Sequence, residues 1–181
     1  SFSNSYLQNL GNRESNTLGI FSLDNLDSCK SVEERNFIKN SSKVIFAENG
    51  QGLINFINDT PTGRLLNEHI RRSDVSVAFL GSDTKLAGSK YPTNNEGDPL
   101  NAYYGDLEIA NGLGLVNSSI IIPNAFDPTT TYFYENNTAA AQLSLIENQL
   151  QWALMINKGS YVKVASQNGK SEFTNTGEYS S

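Results

Sequence analysis

Histidine and cysteine each occur once in this 181-residue chain, as His69 and Cys29, and methionine and tryptophan are equally rare. A single cysteine excludes an internal disulfide and any zinc site built on several thiolates. A single histidine excludes a two-histidine metal site. Long apolar runs are also missing: none approaches the ~18 residues that mark a membrane-crossing helix. Charged residues make up only 18% of the chain, and the thirteen Lys and Arg against nineteen Asp and Glu leave a formal net charge of −6. The basic residues are scattered apart from the doublet Arg71-Arg72, which argues against a nucleic-acid backbone as partner, since that needs a basic face. Gly112-Leu113-Gly114 lacks the Lys-Ser/Thr of a phosphate loop, and no cofactor is expected.

What is present is uncharged polarity. Asn, Ser and Thr are abundant, which favours loops and points to a secreted or extracellular setting. A hydrophobic fraction of 38% over this length is enough for a full core. Three segments are expected: an N-terminal arm over 1–30, a single domain over 31–165, and a flexible polar tail over 166–181. Ser31-Val32-Glu33-Glu34 has the capping-box pattern of a helix start. Lys43 to Phe46 reads as a strand, Leu53 to Ile57 as a short helix, and the alternation Val75, Val77, Phe79 as a half-buried strand. Gly81 to Tyr104 is rich in Gly, Pro, Asn and Asp and reads as a long irregular loop. Leu107 to Leu115 reads as a strand interrupted by glycines, and Ser118 to Ile122 as a β-branched strand closed by Pro123. The longest helix is expected from about Thr138 to Asn157, with Leu143, Ile146, Leu150, Ala153 and Leu154 on one stripe and Gly159 as its stop. Tyr161 to Val164 closes the pattern as a strand. The expected fold is α+β: a small β-sheet with one long central helix and several short helices.

The most specific stretch is Asn58-Asp59-Thr60-Pro61-Thr62-Gly63-Arg64-Leu65-Leu66. Asp59 or Thr60 caps a helix whose first turn holds Pro61, where the missing N–H costs nothing. Together with the strand before Gly81, the run Ile120-Ile121-Ile122-Pro123-Asn124 and the long helix, this stretch resembles the zinc metallopeptidases found among bacterial type III secretion effectors and toxin modules. The resemblance covers roughly residues 44 to 160 and implies a zincin-like fold. In that family the long helix carries two His at i and i+4, which share a face and hold zinc, with a Glu between them to activate the bound water. Here the matching register puts Asn148 in place of the first His, Gln149 in place of the Glu and Trp152 in place of the second His. None of the three can do that chemistry. The resemblance therefore implies a relative whose metal site has degenerated, with no metal bound. The same residues also read without any ancestry, as a helix whose Trp152 packs a core.

Two other constellations stand beside it. Cys29 and His69 could serve as nucleophile and base of a Cys-His enzyme acting on protein amides, with Asp106, Asn111 or Asn124 as orienter. A lone histidine on a polar helix face is more often idle. Asn94, Asn95, Glu96, Asp98, Asp106 and Glu108 form an oxygen-rich cluster without the spacing of a calcium loop. Tyr91, Tyr103, Tyr104, Tyr132 and Tyr134, with Phe133, supply aromatic loop surface suited to a protein partner or a glycan. The expected function is a secreted effector-type or toxin-type domain that has lost the peptidase site and binds a protein partner. The alternatives are the Cys-His enzyme and an extracellular adhesive or structural module.

Overall fold

The computed structural model describes residues 18–21, 32–95, 100–126, 133–167 and 170–176. Helices and sheets are mixed, but the chain forms two compact units, Ser1–Asp83 and Thr84–Ser181, in place of one domain between an arm and a tail.

The first unit is built from parallel strands. β1 (Leu18–Phe21), α1 (Val32–Asn40), β2 (Lys43–Ala47), α2 (Gln51–Asp59), α3 (Pro61–Ile70) and β3 (Ser76–Leu80) follow in order, and the sheet runs β1-β2-β3. Part of the expected N-terminal arm is therefore an edge strand, paired with β2 from Leu18↔Lys43 to Phe21↔Phe46. β2 is the central strand, and its Val44 and Phe46 are buried. The register sets Phe46 against Phe79, and their rings stack with centroids 5.0 Å apart. Parallel neighbours need a crossover of a dozen or more residues, which is why helices separate every pair of strands here.

Thr60 joins α2 to α3 and serves both. Its backbone N–H and its hydroxyl donate to the Phe56 carbonyl at 3.2 and 2.8 Å, closing α2, while its Oγ1 accepts from Gly63 N at 2.9 Å, opening α3. Pro61 stands in the first turn, as expected from the motif. So abrupt a junction brings the start of α3 onto the end of α2. A Cβ on Gly63 would lie 1.9 Å from the Phe56 carbonyl oxygen. The buried side of α3 is Thr62, Leu66, His69 and Ile70, spaced as one helix face.

β3 runs into a short 3-10 segment, Gly81–Ala87. Asp83 within it is fully buried, and its carboxylate accepts from Asn49 N, Asn49 Nδ2 and Gly50 N at 2.8–3.0 Å. Gly50 precedes α2 with φ 53° and offers no side chain to cap it. The carboxylate thus does from 33 residues away what a local cap does elsewhere, placing negative charge where the helix dipole is positive.

In the second unit the sheet order is β5-β4-β6-β7, with β4 (Gly88–Pro92), β5 (Ile109–Asn111), β6 (Val116–Pro123) and β7 (Trp152–Ile156). A one-turn helix, α4 (Asn101–Tyr104), lies between β4 and β5, and α5 (Phe133–Glu147) crosses from β6 to β7. β4 and β7 both pair with β6 in parallel, and β5 is antiparallel to β4. β4 falls inside the segment read as a long loop. Gly-Ser-Lys-Tyr-Pro has poor strand character, and Gly112 serves the close approach to it: a Cβ on Gly112 would lie 2.2 Å from the Gly88 carbonyl oxygen.

The expected helix over 138–157 is instead a helix, a stop and a strand. α5 ends at Glu147, and Gln149 adopts the left-handed φ of 52°. The Leu150 N–H then reaches back to the Leu145 carbonyl at 3.1 Å, the six-to-one bond of a helix C-terminus. Glycine usually holds that position; a glutamine there gives no sequence signal. Trp152–Ile156 follows as a strand paired with Ser119–Pro123. The stripe drawn through Leu143, Ile146 and Leu150 is not the buried face: Ile146 is largely exposed, and the buried face is Asn137, Ala140, Ala141 and Ser144. Those small residues let α5 lie close on Ile122 and Ala125, with Ala153 and Met155 of β7 alongside. Finally, β8 (Tyr161–Gln167) pairs antiparallel with β9 (Lys170–Thr176), so much of the expected flexible tail is half of a hairpin. Phe173 of that hairpin packs its ring 5.3 Å from that of Trp152.

Two stability outcomes follow from the first unit. Replacing Gly63 by Ala, which gains ~1 kcal/mol of helix propensity at an ordinary site, is expected to cost about 1–3 kcal/mol net in urea unfolding, because the methyl meets backbone that must move. Asp83→Ala is expected to cost about 3 kcal/mol or more, since hydrogen bonds to a charged group are worth ~1.5–3 kcal/mol and their buried donors are left unpaired; a loss under about 1 kcal/mol would show that the carboxylate is not what holds the start of α2.

Candidate functional site

β4, β6 and β7 run parallel, so their carboxyl ends leave the sheet on one edge. In open sheets of parallel strands, ligands bind in the crevice outside that edge. Three chain segments meet there: Thr93 to Asn95 after β4, Asn124 to Phe126 after β6, and Asn157 after β7. The ladder between the last two continues past the strands, with Ala125 N donating to Ile156 O at 3.0 Å and Lys158 N to Phe126 O at 3.3 Å. Asn137, in the second turn of α5, ties the segments after β4 and β6 together. It accepts at Oδ1 from Asn95 Nδ2 at 2.7 Å and donates through Nδ2 to the Ala125 carbonyl at 2.9 Å.

Asn95, Asn137 and Asn157 are 4%, 6% and 6% exposed. Asn137 is satisfied, but the Oδ1 of Asn95 and both side-chain polar atoms of Asn157 have no hydrogen-bond partner among the described residues. A buried polar group left unsatisfied costs about 1–3 kcal/mol. Two such residues at the carboxyl edge of one sheet are therefore a feature that stability alone does not favour. All three side chains are neutral amides, each able to donate and accept.

Asn94 fastens α4 beside this edge. Its Nδ2 donates to Asp106 O at 2.7 Å, its Oδ1 accepts from Glu108 N at 3.0 Å, and its carbonyl accepts from Asn101 Nδ2 at 3.1 Å. Ala102 packs inward on the Ile122–Ala140 cluster. Leu100, Tyr103 and Tyr104, spaced as one helix face, are 40%, 58% and 69% exposed. This single turn of helix therefore presents its large apolar side chains outward, beside the exposed Asp106 and Glu108.

Other residues singled out in the sequence fall elsewhere. His69 is buried, and its Nε2–H donates to the Ser41 carbonyl, so it fills a place in the first unit's core and is not on a polar face. Cys29, Glu96, Asp98, Tyr132 and the Ser31 of the capping box lie outside the described residues, as does the side chain of Tyr134 on α5. Asn148, Gln149 and Trp152 do not share a helix: Asn148 and Gln149 form the stop after α5, and Trp152 opens β7. Tyr91 is a core residue of β4, with the Lys85 ammonium 5.8 Å from its ring centroid, and is no part of an aromatic surface. Among the described residues no three His, Cys, Asp or Glu side chains gather as a metal site, and no helix is long and apolar enough to cross a membrane. Asn137 and Asn157 were not legible as site residues. The only signal was an asparagine at the end of an apolar run, Met155-Ile156-Asn157, which the helical reading of that run concealed.

Burial of Tyr91 pushes its phenol above the ordinary tyrosine value. The neutral form is thus favoured in the folded state, so its contribution is full below the unfolded value of ~10 and fades as pH rises through the higher folded one. Ultraviolet titration of phenolate is expected to show one late phenol that disappears in Tyr91→Phe; a curve unchanged by the substitution would contradict this. No protein-family model matches this chain, and no curated protein matches it in sequence.

Proposed function

We propose that the chain is a binding module that engages a protein partner through the outward face of α4, in a secreted or extracellular setting. The observation that supports this reading best is the exposure of Leu100, Tyr103 and Tyr104 together on one turn of helix that Asn94 fastens through the Asn101 side chain and through the backbone of Asp106 and Glu108 just after it. Tyrosine is enriched at the centres of protein interfaces because a large rigid ring is ordered at little entropic cost and its hydroxyl keeps a polar handle. A pinned platform loses less freedom on association than a free loop. Asp106 and Glu108 at its border favour a partner with a basic rim.

The other readings draw less support. Peptidase descent would need Asn148, Gln149 and Trp152 on one helix, and α5 ends before them. A Cys-His pair would need a histidine nitrogen free to take a proton in a cleft, whereas His69 is buried against Ser41. Composition alone bears on the secreted setting.

The test is a pair of substitutions on an exposed turn. Tyr103→Ser with Tyr104→Ser is expected to leave thermal unfolding nearly unchanged, as exposed sites do. The double variant should lose the partner that the unaltered chain retains in quantitative affinity capture: an interface tyrosine is commonly worth about 2 kcal/mol, or ~30-fold in Kd. Retention of the same proteins with equal strength by the double variant would sink the proposal.

A further inference from the structure

We infer that the buried amides of Asn95, Asn137 and Asn157 form a second, separate binding site for a small uncharged ligand that carries hydrogen-bond donors and acceptors side by side, as an acetamido group or a pair of sugar hydroxyls does.

Position is the first ground. The three residues belong to segments far apart in the chain, and the parallel pairing of β4, β6 and β7 brings the strand ends together on one edge. That edge is where sheets of this kind hold ligands. The second ground is hydrogen bonding. Asn137 is fully engaged, by Asn95 on one side and the Ala125 carbonyl on the other, and so serves as a rigid post. Asn95 keeps a free acceptor, and Asn157 keeps a free acceptor and free donors, each residue being more than nine-tenths buried. Asn157 stands between the two ladder bonds that join Ala125 and Phe126 to the end of β7, so its backbone is held while its amide is left over.

The chemistry of the leftover atoms selects the ligand. An amide offers both donor and acceptor and no charge. An anion would need a cationic side chain buried with the amides, but the charged groups beside this edge among the described residues, Asp106, Glu108 and Lys158, are all exposed; a cation would need several converging carboxylates, and no such group gathers among the described residues. A neutral group with donor and acceptor matches the atoms left over, an acceptor on Asn95 and an amide on Asn157. Because the three amides are almost fully enclosed, only the tip of a ligand can reach them. Recognition of one end group follows, in contrast to the broad contact at Tyr103 and Tyr104.

The probes are N-acetylglucosamine, glucose and, as a charged comparator, gluconate, added to the isotopically labelled full chain while the asparagine side-chain amide signals are followed by NMR. Signals assigned by their loss in Asn157→Leu and Asn95→Ser are expected to shift saturably with N-acetylglucosamine and not with gluconate. A matching response to glucose assigns recognition to the hydroxyl pair, and its absence assigns recognition to the acetamido group. Asn157→Leu removes unpaired polar atoms from a buried position and is expected to fold with an unchanged or higher melting temperature while binding at least tenfold more weakly. Asn95→Ser asks the same question if the leucine variant does not fold. Tyr103→Ser with Tyr104→Ser should leave the sugar response intact, which separates this site from the partner surface. The inference is overturned if neither sugar moves the signals, if only exchange with a bound water is seen, or if the response persists in both asparagine variants.

Discussion

Parallel pairing is the constraint from which most of this molecule follows. A parallel neighbour cannot be reached by a tight turn, so each parallel pair must be separated by a crossover, and α1, α2 with α3, α4 with β5, and α5 supply them. The same geometry makes every strand in a set end on one edge. In the first unit that edge carries the Asn49-Gly50 turn; in the second it carries Asn95, Ala125 and Asn157. Polar residues therefore collect at strand ends without any local motif bringing them there.

Buried polarity is both charged and neutral in this molecule. Asp83 is a charged group in full burial, and three donors from one turn occupy its carboxylate. Such an arrangement holds a loop in one conformation. The amides of the second unit are neutral, and some of their atoms are unoccupied. Where burial is complete but pairing is not, folding has not used all the hydrogen-bonding capacity present, and binding can use the remainder. On α4 the inner side is a small alanine packed on the core, and the large side chains face outward.

Local chemistry was legible wherever a residue acts on its immediate neighbours. Thr60 and Pro61 open α3 as their types require, and β2 and β3 fall where β-branched and aromatic residues alternate. Reading failed where a neighbour in space overrides local preference. Gly88 to Pro92 is a strand because β5 and β6 flank it, although its residues favour turns. His69 looked solvated because its sequence neighbours are polar, yet it faces inward with Leu66 and Ile70. The buried stripe of α5 is Asn, Ala, Ala and Ser, small residues that carry no apolar periodicity, while the large Ile146 at helical spacing is exposed.

The sequence by itself determined part of what chemistry is possible: one cysteine and one histidine exclude an internal disulfide and a two-histidine metal site within this sequence, because each needs a second such side chain. It also determined the caps and turns, which depend on bonds between residues a few positions apart. Only the tertiary structure decided that Leu150 to Ile156 leaves the helix to become a strand, and that Asn95, Asn137 and Asn157 share one edge. The physical reason is that strand pairing is a contract between distant segments: an apolar run such as Trp152 to Ile156 satisfies a helix or a strand equally well, and the partner strand, here β6, settles which one forms.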